Sequence, residues 1–204
     1  MHEGRLMMFK RIFYYFAGIC IFVAATTLVV HAFVLLTKEQ ALKEVFPPEF
    51  QIKSETVNLS GDALKRVQDR LGGSLIFEQE GSESAKVSAA TSVEFLVAES
   101  GGEVKGVAII DVQPGKWGPV EFITAIDTQG QVRRVRVMSY QEERGRPIAQ
   151  ASFMNQYRGM TSKSALTVGK DITGISGATI SSRAATFAVK KALVVFEEVY
   201  LKKK

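Results

Sequence analysis

The chain is poor in the residues that most metal and redox centres are built from. Among its 204 residues there is one cysteine, Cys20, and there are two histidines, His2 and His31. A single thiol excludes an intramolecular disulfide, a thiolate-held iron–sulfur cluster and haem attached through Cys-x-x-Cys-His. With no histidine after residue 31, the rest of the chain cannot build a histidine-ligated metal site. Gly-x-Gly-x-x-Gly, Walker, Gly-x-Ser-x-Gly and His-Glu-x-x-His motifs are missing too. Basic charge is scarce where it would matter for nucleic acid. Arg5, Lys10 and Arg11 against Glu3, together with Lys202, Lys203 and Lys204, account for the whole net charge of +5. The body of the chain is neutral, which sets nucleic-acid binding aside.

What is present begins with a long uncharged run. Ile12 to Leu36 contains 25 residues without Asp, Glu, Lys or Arg, more than the roughly 20 that cross a hydrocarbon core. A cleavable signal would have a shorter apolar run ended by small residues. Here Thr37, Lys38 and Glu39 follow directly, so the run reads as a transmembrane helix. The basic residues precede it, which places the N-terminus in the cytoplasm. The expected organisation is a cytoplasmic start (1–11), a single span (12–36), a membrane-proximal helical segment (37–72) and an outer domain (73–204). That is a single-pass protein of the cell inner membrane with its C-terminal domain periplasmic or extracytoplasmic. His31 reads as a tolerated neutral side chain within the span.

Helical composition over Lys38–Val45, stopped by Pro47-Pro48, predicts one short helix. Leu59–Leu71 predicts a second, with Ser60 as cap, Leu64, Val67 and Leu71 at helical spacing and Gly72-Gly73 as the stop. Strand signals follow at Ser74–Gln79, Val93–Ala98, Val104–Val112, Val120–Asp127 and Val132–Tyr140, the last two joined as a hairpin through Thr128-Gln129-Gly130. Residues 80–92 read as a loop. A helix is expected over Ile148–Tyr157, ended at Gly159. A final helix over Thr179–Leu201 has Ile180, Ala184, Phe187, Ala188, Ala192, Val195 and Val199 toward the core and Arg183, Lys190, Lys191, Glu197 and Glu198 toward solvent. The expected class is α+β, an antiparallel sheet packed by helices and preceded by one transmembrane helix.

Three places carry candidate chemistry. Ser176-Gly177-Ala178-Thr179, followed by Ile180, opens the last helix. The free amides and positive dipole end of a helix start favour a phosphate, while a plain Ser or Thr cap is the simpler reading of the same residues. Glu142-Glu143 beside Arg144 and Arg146 could serve as an acid/base pair or as a charged turn. Trp117, in a Gly115–Pro119 turn, is either a surface residue or a platform for a flat ligand. No catalytic residue and no metal ligand is assigned.

The Ser176–Thr179 motif with Ile180-Ser181-Ser182 resembles the flavinylation motif of the FMN-binding domain family. That family includes the G subunit of Rnf-type ion-translocating oxidoreductases and the C subunit of the sodium-pumping NADH:quinone oxidoreductase. Tyr140-Gln-Glu142-Glu-Arg-Gly145 and Phe153-Met-Asn-Gln156-Tyr157-Arg-Gly159 resemble two further segments of the family. At position 173 the family pattern has an acid; here it is Thr173, and Asp171 is the nearest carboxylate. The resemblance implies FMN as cofactor, esterified at its phosphate to Thr179, with Ser176, Gly177, Ala178 and Ile180 around the attachment and Tyr140, Glu142 and Trp117 lining the site. It also implies electron transport in a membrane redox complex, other redox subunits as partners and a flavin transferase for maturation. A sensory or scaffolding module of the same fold, or an anchored flavin-dependent reductase using Glu142 or Arg144, are the alternatives.

Overall fold

In the computed structural model the described residues are 33–84, 87–141 and 146–203. The span expected at 12–36 therefore lies outside them except for its last four residues, as do Cys20, His31 and Glu142. Among the described residues no helix is long and apolar enough to cross a membrane. Phe33 and Val34, expected as the end of the span, are extended. They form a short edge strand, β1 (Phe33–Val34), paired with Tyr140 and Ser139.

The helix expected over Lys38–Val45 forms with those bounds, α1 (Lys38–Val45). Thr37 accepts from the Gln40 amide and the Gln40 side chain accepts from the Thr37 amide, a reciprocal capping box that the sequence Thr-x-x-Gln encodes. A strand follows that sequence patterning did not predict, β2 (Gln51–Asn58). Its residues are mostly exposed and polar, so there is no apolar alternation to announce it; pairing with a neighbour makes it a strand. The second helix, α2 (Gly61–Leu71), buries Val67 and Leu71 and ends at Gly72, whose φ of 87° is the left-handed conformation that glycine adopts without strain.

Four long strands follow: β3 (Ser92–Ser100), β4 (Glu103–Pro114), β5 (Pro119–Asp127) and β6 (Val132–Tyr140). With the two edges they make a six-stranded antiparallel sheet in the order β1-β6-β5-β4-β3-β2. The β5–β6 hairpin turns where expected, and Asp127 Oδ1 accepts from the amides of Gln129 and Gln131. The strand expected at Ser74–Gln79 does not form. Leu75 and Ile76 are buried there, but the backbone is satisfied by the carboxamide of Gln113, which accepts from the Phe77 amide at 2.8 Å and donates to the Leu75 carbonyl at 3.3 Å.

Both faces of the sheet are covered, so its middle strands are apolar on both sides. Phe95, Val107, Phe122 and Val135 face a core shared with α2 and the last helix. Leu96, Ala98, Ala108, Ile123 and Ala125 face α1. Small alanines on that side let α1 lie close, and each large side chain buried on either face contributes about 1.5–3 kcal/mol.

The helix expected over Ile148–Tyr157 is broken into a 3₁₀ turn (Arg146–Ala149), a four-residue α3 (Ala151–Met154) and a second 3₁₀ turn (Asn155–Tyr157). The last helix, α4 (Thr179–Val195), continues as a π turn (Phe196–Tyr200) and a 3₁₀ turn (Leu201–Lys203). Two residues expected toward solvent are buried, Lys191 and Glu198. Lys191 pairs with Asp111 of β4. In the wider π turn Glu198, 5% exposed, takes Arg66 at 2.9 Å, Arg70 at 3.0 Å and Lys202 at 2.6 Å, while Glu197 takes Arg70 at 2.9 Å. Helical periodicity assigns a face but cannot see the α2 arginines that make burial of a carboxylate affordable.

The bonds from Lys202, Arg66 and Arg70 outweigh burial and hold the Glu198 carboxyl at about 2, against an ordinary 4.5. Its stabilisation is therefore complete above pH 4.5 and is lost as pH falls from there toward 2. Because Arg66 and Lys202 are half exposed, solvent screening reduces it to on the order of 2 kcal/mol. Glu198→Gln should melt lower than wild type at neutral pH and converge with it on acidification; parallel Tm–pH curves would contradict this.

Candidate functional site

The motif that opens α4 sits in a turn fixed by its own backbone. The Ala178 amide donates to the Ile175 carbonyl at 3.0 Å, and Gly177 at the third position of the turn has φ of 79°. A side chain there would be strained, so glycine is required by conformation. Ala178 is the N-cap and Thr179 the first helical residue, and among the described residues no side chain caps the helix. The simple cap reading of Ser176 and Thr179 thus fails. The hydroxyl that works for the turn is that of Ser182, one turn into the helix, which accepts from the Ile175 amide at 3.2 Å and donates to the Ala178 carbonyl at 2.9 Å. Ser176 and Thr179 are exposed.

Across from this start stands the β4–β5 turn. The Gly115 amide donates to the Gly118 carbonyl at 2.8 Å, and the Gly115 carbonyl accepts from the Glu83 amide at 2.9 Å. Between the turn and the helix start lies a cleft of about 190 Å³ lined by Lys116, Trp117, Gly177, Ala178, Thr179, Ile180 and Ser181. Five of the eight residues expected at the site are thereby brought together: Trp117, Gly177, Ala178, Thr179 and Ile180. Trp117 is 54% exposed, and the Lys116 ammonium sits 4.9 Å from its ring centroid. Ile180, expected in the core, is only half buried because it serves as a wall of the cleft. Ser176 lies in the adjoining turn. Tyr140 is not at the cleft; it is buried in the core with its ring 5.6 Å from that of Phe33. Glu142 lies outside the described residues.

Sequence reasoning missed Lys116 and Ser181 as lining residues. Lys116 adjoins Trp117, and its charge beside a phosphate-friendly helix start was the available signal. It also missed how the Phe153–Gly159 segment acts. Gln156 makes a two-point clamp on residue 173: its Oε1 accepts from the Thr173 amide at 2.8 Å and its Nε2 donates to the Thr173 carbonyl at 3.2 Å. Tyr157 is fully buried and meets Thr186 Oγ1 at 2.9 Å, and Thr186 donates in turn to the Ser182 carbonyl at 2.8 Å. The two aromatic residues, in edge contact at 5.8 Å, anchor this segment beneath α4 while Gln156 holds the strand of loop that leads into the motif.

Asp171 is committed within the loop. Burial opposes its ionisation, but the Thr167 and Leu166 amides, at 2.6 and 2.7 Å, hold its carboxyl below the ordinary value. These bonds also support Leu166, whose φ of 47° is rare for a non-glycine residue.

Residues 115–194, from the Trp117 turn through most of α4, match the family model described as FMN-binding domain. No curated protein matches the chain. Among solved structures, the crystal structure of Shewanella oneidensis NqrC is similar with a TM-score of 0.50, at 14% identity, over 82% of this chain and 91% of that one. At this identity the likeness establishes the fold, which is α+β as the sequence predicts.

Proposed function

We propose, from the premise that residues 115–194 form a domain of the FMN-binding family with FMN as its cofactor, that this chain is a membrane-anchored electron-transfer flavoprotein whose FMN is esterified through its phosphate to Oγ1 of Thr179. The observation that carries this reading is the cleft itself: an exposed threonine on the first turn of an uncapped helix, facing an exposed tryptophan.

The residues fit the group. Among the described residues no carboxylate lines the cleft and Lys116 supplies a cation, so a phosphate meets an ammonium, the backbone of the helix start and the positive end of the dipole. Gly177 is exposed with open space beside it and leaves the backbone accessible, and Trp117 offers a flat face at the mouth. When bound, FMN supplies one- and two-electron transfer. The chain's own residues tether, orient and tune: Gln156 and Ser182 fix the turn, Thr179 holds the ester, and Lys116 favours negative charge beside it.

The anchor is the uncharged run from Ile12 up to the start of β1 at Phe33, held in the inner membrane with the domain extracytoplasmic. A covalent bond suits that compartment, since a dissociated cofactor would be lost from it. Electron donor and acceptor are other redox subunits of a membrane complex, as in the Rnf-type and sodium-pumping assemblies whose subunits the motif segments resemble, and a flavin transferase installs the cofactor.

Reductive titration tests the carrier role. Full-length protein co-produced with a flavin transferase should show flavin absorbance that dithionite bleaches and a one-electron acceptor restores, with none passing an ultrafiltration membrane. A folded protein without flavin absorbance would contradict the proposal.

A further inference from the structure

The sheet has a second concavity, away from the cleft at Trp117. It runs over Phe46-Pro47-Pro48, where the chain leaves α1. One half, about 340 Å³, is walled by Lys43, Arg133, Arg134 and Arg158. The other, about 240 Å³, is walled by Leu42, Phe50 and Ile52 with Glu39. Lys43, Phe46, Pro47 and Pro48 belong to both, so the two halves adjoin in one grooved surface, basic at one end and apolar at the other.

Among the described residues the basic half holds one carboxylate, Glu44, and it is taken: its Oε2 accepts from Arg136 at 2.7 Å, and its backbone carbonyl accepts from Arg134 at 2.7 Å. Among the described residues the side chains of Lys43, Arg133 and Arg158 make no hydrogen bond or ion pair. Residues 12–201 carry no net charge, so this is a local excess. The cations are held apart on separate elements, Lys43 on α1, Arg133 on β6 and Arg158 in the turn after Tyr157. That turn is locked to β6 by two backbone bonds of 2.8 Å, Gly159 N to Val132 O and Val132 N to Met160 O. Spaced, pre-positioned cations suit a row of carboxylates better than a single phosphate, and the adjoining apolar half needs large apolar side chains to fill it.

We propose that this groove docks an acidic segment of a partner protein that carries aromatic or aliphatic side chains beside its carboxylates. The docking leaves the flavin cleft uncovered. Tyr140, beside Val120 at the Trp117 end of the sheet, is seven residues along β6 from Arg133, on the order of 20 Å. A partner held in the groove is tethered without occluding the redox centre.

Fluorescence anisotropy with detergent-solubilised full-length protein tests this, using a labelled peptide in which Glu alternates with Phe and Leu. Binding should saturate. It should weaken about tenfold or more for the peptide with Gln in place of Glu, for an all-Glu peptide, and for the Arg133→Glu/Arg158→Glu variant, whose substituted side chains are exposed and leave Tm unchanged. Thr179→Ala should bind like wild type, which separates this result from the flavin reading. No saturable binding, equal binding by the charge-reversed variant, or equal binding of the Gln peptide would overturn the proposal. So would a groove that takes phosphatidylglycerol vesicles or pyrophosphate in a charge-dependent way but not the peptide.

Discussion

Replacing Asp111 by alanine should lower the thermal midpoint by roughly 10 °C. Lys191 reaches from α4 to Asp111 on β4, Nζ to Oδ1 2.7 Å, with the two side chains only 7% and 13% exposed. Gln113 donates to the other oxygen at 2.6 Å. Burial pushes the Asp111 carboxyl above its ordinary value, opposed by the Lys191 ammonium and the Gln113 amide. Deleting the carboxylate strands a buried ammonium, at a cost of about 3–5 kcal/mol, and each kcal/mol is worth about 2–4 °C in a domain of this size. The pair itself need not be strongly stabilising, because separating two charges from water is costly. Asp111→Leu combined with Lys191→Met should therefore recover most of the lost midpoint. Both residues also wall a cavity of about 230 Å³. If Asp111→Ala costs less than about 1 kcal/mol, the lysine escapes through that opening and the pair is not a fixed link between helix and sheet.

Thr179→Ala should abolish covalent flavin while leaving Tm within about 1 °C of wild type. The threonine is exposed and its side chain caps nothing, and alanine is the better helix former, so the fold has no use for the hydroxyl. The proposed attachment has no exposed substitute for it on the helix. Ser176 lies in the turn before the helix, and Ser181 and Ser182 are both buried, the latter with its hydroxyl committed at both ends. In-gel flavin fluorescence after denaturation reads the effect directly. A variant that keeps its fluorescence would move the attachment elsewhere; one that loses it only by unfolding would remove the distinction between the chemical and structural roles of Thr179.

The strands β3 to β6 were legible because they are buried on one face or both and their turns carry glycine. α1 and α2 were legible because their caps and stops are written in neighbouring residues. β2 was not: its pairing supplies what its composition lacks. Lys191 and Glu198 were misplaced because periodicity knows only the helix on which a residue sits, whereas their burial depends on Asp111 and on Arg66 and Arg70. At the site, local sequence reached the motif and Trp117, each marked by a glycine turn. Their meeting across a cleft depends on sheet register, as does the Gln156 clamp on Thr173, which joins residues 17 apart. Tyr140 was drawn to the site by the resemblance, but as the last residue of β6 it points into the core.

The central claim, FMN on Thr179, is tested most directly on one peptide. Trypsin cleaving after Lys170 and Arg183 releases Asp171–Arg183, which carries Thr173, Ser176, Thr179, Ser181 and Ser182. Fragmentation of this peptide, from full-length protein made with a flavin transferase, should show the mass of FMN less one water, confined to fragments that contain Thr179. An unmodified peptide, or an adduct on any of the other four hydroxyls, would contradict the account.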